Sequence, residues 1–126
     1  MLIVRKDIFW SVDGLDEAFL SKQDLDLNMR LAKEHEFGYI NLPLVYINSS
    51  SKNRISHDNF KRLDGWIKFF QKYSSEMPIN AKIFHSKCIF YKSFKMYKIG
   101  TTLKFLSIYL FNIIKRNYFM IIIKKV

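Results

Sequence analysis

The sequence predicts an α/β chain in which short strands and helices alternate up to about residue 47 and helices alone follow. Three observations predict it. Residues 1–4 and 37–47 are runs rich in β-branched and aromatic side chains, as strands are. From Phe60 onward, large apolar residues recur at helical spacing. A chain of 126 residues that is 49% hydrophobic and 25% charged can build one core, which excludes global disorder and two independent catalytic modules.

Element by element, residues 1–4 read as a short buried strand ending at Arg5-Lys6. A short helix follows with Asp7 as N-cap and Ile8, Phe9 and Val12 turned inward, and Asp13-Gly14 supplies the turn after it. Residues 15–20 are a loop carrying Asp16 and Glu17. Ser21-Lys22-Gln23-Asp24 has the form of a capping box, with Ser21 as N-cap and Asp24 three residues on. Its helix should run to about Glu36 on a stripe of Leu25, Met29 and Ala32, with Leu27 and Leu31 beside it, and Gly38 should close it. Pro43 interrupts the ladder of residues 37–47, which therefore make two short extended pieces or one edge strand. The polar, serine-rich residues 48–54 are a loop.

Three helices then follow. The first carries Phe60, Leu63, Phe70, Tyr73 and Met77 on one face, with Trp66 or Ile67, and stops at Pro78. The second, over residues 80–98, sets Phe84, Cys88, Tyr91 and Phe94 against a lysine face, and Gly100 separates it from a third reaching about Lys124. Residues 101–114 are mostly apolar, but Lys115-Arg116 closes them short of the roughly 20 residues a membrane span needs. A helix lying in a membrane interface fits better, with Phe105, Leu106, Tyr109, Ile113 and Phe119 inserting.

Charge divides the chain. Up to Asp58 there are 7 basic and 9 acidic residues; from Asn59 onward there are 14 basic and 2 acidic, so the whole excess of +10 is C-terminal. Cations interleaved with aromatic rings suit an anionic membrane surface, a nucleic acid, or a solvated lysine face over a core. Lysine dominates the cations and the rings fall on core-like faces, which counts against nucleic acid. A single cysteine, Cys88, cannot form an internal disulfide, so a reducing, cytoplasmic setting fits. His35, His57 and His85 share no ligand spacing, and no metal centre is expected from them.

The most specific stretch is residues 2–46 (LIVRKDIFWSVDGLDEAFLSKQDLDLNMRLAKEHEFGYINLPLVY). Arg5, Phe9 and Val12, then Gly14-Leu15-Asp16-Glu17 with Phe19, then Asp24, Asp26-Leu27 and Arg30 follow one another at fixed spacing. The set resembles the C-terminal, acceptor-side portion of the sugar-transferring domain in family 2 glycosyltransferases, which have the GT-A fold. Their pattern runs R-x-x-F-x-x-V-G-G-F-D-E-x-F, then E-D-x-D-L-x-x-R, then G-Y and a strand ending near L-V-Y. The resemblance implies inverting transfer of a sugar from a nucleotide donor to an acceptor hydroxyl, in assembly of cell-surface polysaccharide or glycan.

In such enzymes the second acid of the E-D pair is the general base, and Asp24 stands there; a carboxylate within reach of the hydroxyl takes its proton as the glycosidic bond forms. The capping box alone would also account for Asp24. Gly14, Asp16, Glu17 and Gln23 stand at the acceptor-binding positions, Asp16 and Glu17 serving equally well as solvated loop acids. Arg30 is read as a structural partner for Asp26 four residues before it.

The departures from the pattern are specific. Gln23 replaces the first acid of the pair, Asp13 replaces the first glycine of G-G, and Ile47-Asn48-Ser49 occupies the place of a frequent histidine, for which His57 is a weak substitute. The nucleotide-binding half and its D-x-D metal element are absent from these residues, and Asp24-Leu25-Asp26 does not replace them, because its carboxylates point about 200° apart on a helix.

The chain thus reads as an acceptor half from a truncated or split frame, residues 1–56, with a basic, aromatic helical extension, residues 57–126. Alone it should bind no cofactor; the complete enzyme should need a divalent cation (Mg²⁺ or Mn²⁺) and a nucleotide sugar. The expected partners are the donor-binding half or a partner chain, a glycan or lipid-linked acceptor, and an anionic membrane at the cytoplasmic face. The alternative reading is a non-catalytic basic module for a membrane surface or nucleic acid.

Overall fold

The computed structural model describes residues 2–46 and 58–123, the last six of these as helix backbone only. Five helices carry the chain: α1 Lys6–Ser11, α2 Gln23–Leu31, α3 Asn59–Tyr73, α4 Ile79–Lys95 and α5 Ile99–Ile123. They form two compact units, Met1–Gly65 and Trp66–Val126.

No strand occurs among the described residues, so the α/β expectation, and with it a partial GT-A sheet, is overturned. The reason lies in what a strand requires. Propensity selects an extended backbone, but a strand exists only where a second chain segment completes its ladder. Residues 2–5 and 37–46 have the composition of strands and no such partner among the described residues. Tyr39, Leu42, Leu44 and Tyr46 are left exposed, and both segments border one groove of about 640 Å³ beside Ile8 and Leu31. The loop expected over residues 48–54, together with Met1, Ile47 and His57, lies outside the described residues.

In the first unit, Val12, Leu27 and Leu31 form a small core with Leu2, Val4, Ile8 and Phe9 packed against it. Helix α1 starts after Arg5, without the side-chain cap expected of Asp7. It ends in a Schellman motif: the Asp13 N–H donates to the Trp10 carbonyl (3.1 Å) and the Gly14 N–H to the Phe9 carbonyl (3.0 Å). Asp13 and Gly14 are both left-handed, at φ 60° and 61°. A side chain on Gly14 would also meet the Phe9 ring at 2.8 Å, so glycine is favoured there on two counts.

Helix α2 corrects three expectations. Its N-cap is Lys22, left-handed at φ 72° and without a side-chain cap, so the capping box does not form. Ser21 is diverted instead to α3, where its hydroxyl donates to the Lys61 carbonyl at 2.8 Å. The helix stops at Leu31, well before Glu36 and Gly38. Its buried face is Asp26, Leu27 and Leu31, not Leu25, Met29 and Ala32. Helix α3 begins with an aspartate cap: Asp58 Oδ1 accepts the Lys61 N–H at 3.0 Å. Its Gly65 comes so close to Ser21 that a Cβ would lie 2.2 Å from the hydroxyl oxygen.

In the second unit, Phe69, Phe70, Tyr73, Met77, Ile89 and Phe105 are buried, and Phe70 meets Phe105 edge to face at 5.6 Å. Helices α4 and α5 pack as a hairpin. The turn between them is a second Schellman motif, with Tyr97 left-handed at φ 54°, its N–H on the Phe94 carbonyl and the Lys98 N–H on the Ser93 carbonyl, both 3.0 Å. Gly100, expected as the separator, lies inside the first turn of α5. The face that α4 buries is Ser86, Ile89 and Ser93; Phe84, Tyr91 and Phe94, expected inside, are exposed. Thr102 donates to the buried Ser93 hydroxyl at 3.1 Å, fixing the start of α5 on the end of α4. Among the described residues no helix is long and apolar enough to cross a membrane.

Candidate functional site

The segment from Gly14 to Asp24, between α1 and the first turn of α2, holds the catalytic and acceptor-binding residues that the resemblance implies. Asp26 is wholly buried, and a buried carboxylate must be paired and hydrogen-bonded. Arg30, one helical turn on, supplies that pairing: its Nε and Nη2 both lie 2.9 Å from Asp26 Oδ2. The same guanidinium reaches back to the preceding turn, donating from Nη1 to the Val12 carbonyl and from Nη2 to the Gly14 carbonyl at 2.6 Å. The i, i+4 pairing expected of Asp26 and Arg30 is therefore present, and it does more than brace a helix. It clamps the Val12–Gly14 turn to α2.

Gly14 is thus inside the network, whereas Glu17 and Asp24 are outside it and exposed. Asp16 organises the next turn, its Oδ1 accepting the Ala18 N–H at 3.0 Å while its carbonyl accepts the Phe19 N–H at 3.2 Å. Gln23 opens α2 and is half-buried; Asp24 follows it with its carboxylate in solvent. Asp24 and Asp26 point to opposite sides of α2, one to water and one to the core, as their spacing requires.

Near this turn Arg5 donates from Nε to Asp7 at 3.1 Å on the surface. That hydrogen bond is the main reason the Asp7 carboxyl is held down to about 2, and it raises Arg5 in turn. Among the described residues no group of three or more histidine, cysteine or acidic side chains gathers as metal ligands do. His85 sits among rings, 4.9 Å from Trp66 and 5.4 Å from Phe69, and Cys88 is a half-buried free thiol.

The face that α5 leaves outside is not the one its apolar spacing predicts. Of the residues expected to insert in a membrane, Phe105 is buried, Leu106, Tyr109 and Ile113 are half-buried, and the Phe119 side chain lies outside the description. Exposed instead are Leu103, Leu110, Phe111 and Ile114. The signal was Ser86 and Ser93, seven residues apart: small residues on one line of α4 mark where a second helix packs closely. Comparison with protein-family models, curated proteins and solved structures found no match to this chain.

Proposed function

We propose that the first unit is the acceptor-side segment of an inverting glycosyltransferase, with Asp24 as the base that deprotonates the acceptor hydroxyl. The observation that carries this reading is the division of labour within Asp24-Leu25-Asp26. Asp26 is consumed by Arg30 in holding the scaffold, while Asp24, two residues away on a helix held by that clamp, keeps an exposed carboxylate. A general base needs such a group, free to meet an incoming hydroxyl and fixed in direction by its backbone. Gly14, Asp16, Glu17 and Gln23 on the neighbouring turns are the acceptor-contacting groups in this reading. The nucleotide sugar and its Mg²⁺ or Mn²⁺ are held by a donor-binding segment or partner chain, and the acceptor is a glycan or lipid-linked sugar of cell-envelope polysaccharide. A lipid-linked acceptor places the protein at the inner face of the membrane, as a peripheral protein.

The test is in two stages. The chain alone should give no saturable heat on titration with nucleotide sugars and Mn²⁺. Supplied with a donor-binding segment, it should transfer sugar, and Asp24→Asn should lower the rate at least about 10²-fold with donor affinity kept. That substitution should move stability by less than about 0.5 kcal/mol, since the side chain is an exposed one. Near-normal transfer by Asp24→Asn would end the assignment.

A further inference from the structure

We infer that the outer stripe of α5, edged by Lys104 and Lys115, is a docking face for an anionic lipid bilayer. The inference rests on the peripheral placement proposed above and not on glycosyl transfer. On α5, Ile99, Leu103, Leu110, Phe111 and Ile114 are 73%, 60%, 48%, 65% and 67% exposed. At about 100° per residue they share one side of the helix, opposite Thr102, Phe105 and Asn112, which are buried. Helix packing has already used the inner face, so this outer stripe is surplus to folding. Lys104 and Lys115, eleven residues apart, fall together along one edge of the stripe and are exposed. That is the geometry of a helix lying in an interface, where apolar side chains enter the acyl boundary and lysine stems reach sideways to the headgroups. The stripe runs over about 22 Å at 1.5 Å per residue, a length suited to lying along the surface.

Charge selects the occupant. From Met77 to Val126 the sequence has ten cations, nine of them lysines, and no aspartate or glutamate. On α4, the exposed Phe84, Tyr91 and Phe94 alternate with exposed Lys87 and Lys95, the Lys95 ammonium resting 4.9 Å from the Tyr91 ring centre. A second copy of the chain is a poor occupant, because two faces of one sign repel. A protein partner is a poor one too, because lysine is depleted at protein interfaces. Single-stranded nucleic acid needs rings for its bases to stack on, and the α5 stripe is mainly aliphatic. An anionic bilayer satisfies both properties at once, taking the aliphatic side chains and neutralising the lysines.

The experiment is flotation of the full chain with vesicles of phosphatidylcholine, with and without one-third phosphatidylglycerol, at low and high salt. Wild-type protein should bind the anionic vesicles at least about tenfold better than the neutral ones and lose that preference at high salt. Two surface variants, L110S/F111S/I114S and K104Q/K115Q, should each weaken binding at least about tenfold, with circular dichroism unchanged. K6Q/K61Q, exposed positions of the first unit, should bind as wild type does. Anionic binding that survives both variants overturns this face and leaves the peripheral placement standing. Absence of anionic binding by the wild type overturns both, and neither result touches the Asp24 test. Equal binding to neutral vesicles overturns the role given to charge. An oligonucleotide that binds more tightly than vesicles, and less tightly to F111S, makes the face a nucleic-acid surface and overturns the inference.

Discussion

Arg30 and Asp26 meet through a single oxygen, Oδ2, which lies 2.9 Å from both Nε and Nη2 of the guanidinium while the aspartate has no exposed surface. Because the same arginine also holds the Val12 and Gly14 carbonyls, removing either partner unpins a turn as well as stranding a charge. Asp26→Asn and Arg30→Met should each destabilise the first unit by roughly 3–5 kcal/mol, the range for breaking a buried pair. Arg30→Lys should fail to restore it, since a single ammonium cannot span Asp26, Val12 and Gly14. Urea denaturation read by circular dichroism measures the loss; a change under about 1 kcal/mol for Asp26→Asn would contradict the clamp.

Gly65→Ala tests the approach of α3 to Ser21. Alanine favours a helix over glycine by about 1 kcal/mol, yet its methyl would lie 2.2 Å from the Ser21 hydroxyl and 2.4 Å from its carbonyl oxygen. Overpacking against backbone should win, with a net loss of at least about 1 kcal/mol. Adding Ser21→Ala should recover only part of it, because the carbonyl remains. Thermal denaturation of the single and double variants separates the two contributions.

Tyr97→Gly should stabilise the second unit. Tyr97 occupies the left-handed position of a Schellman turn while 91% exposed, so its ring contributes little packing and its Cβ is strained. Glycine should gain up to about 1 kcal/mol, offset in part by the greater freedom it gives the unfolded chain. Tyr97→Val, β-branched, should shift the melting temperature in the opposite direction.

Asp7 should titrate with a midpoint near 2 when followed by carboxyl NMR, and Arg5→Gln should return it to the ordinary range near 3.8. The sign follows from the depressed value in the folded chain. The pair favours the fold above the unfolded value of 3.8, and its contribution fades as pH falls toward 2. Both groups are on the surface, so added salt should weaken the effect.

Much of the helical plan was legible. The apolar period announced α3, α4 and α5, and Asp13-Gly14 announced the turn after α1, because these depend on local backbone preference and spacing. The Asp26–Arg30 pair was legible for the same reason, since four residues on a helix bring the side chains together by geometry alone. The capping box was not: Ser21 had a local use at the start of α2 and a distant one at Lys61, forty residues on, and packing took the distant one. The strands were not, because the ladder that makes a strand is a property of two segments.

Residue spacing alone dictates where helices can form, that Asp24 and Asp26 must face apart, and that every surplus cation lies in the second half. Which side of each helix became interior was settled by packing between helices. Helix α5 is apolar on both sides, so its own periodicity is compatible with either. The choice fell to Ser93 meeting Thr102 across the α4–α5 turn and to Phe70 meeting Phe105, thirty-five residues apart, and it left Leu103, Phe111 and Ile114 in water. Burial depends on neighbours that a helix acquires only by packing, and the neighbours of α5 come from α3 and α4.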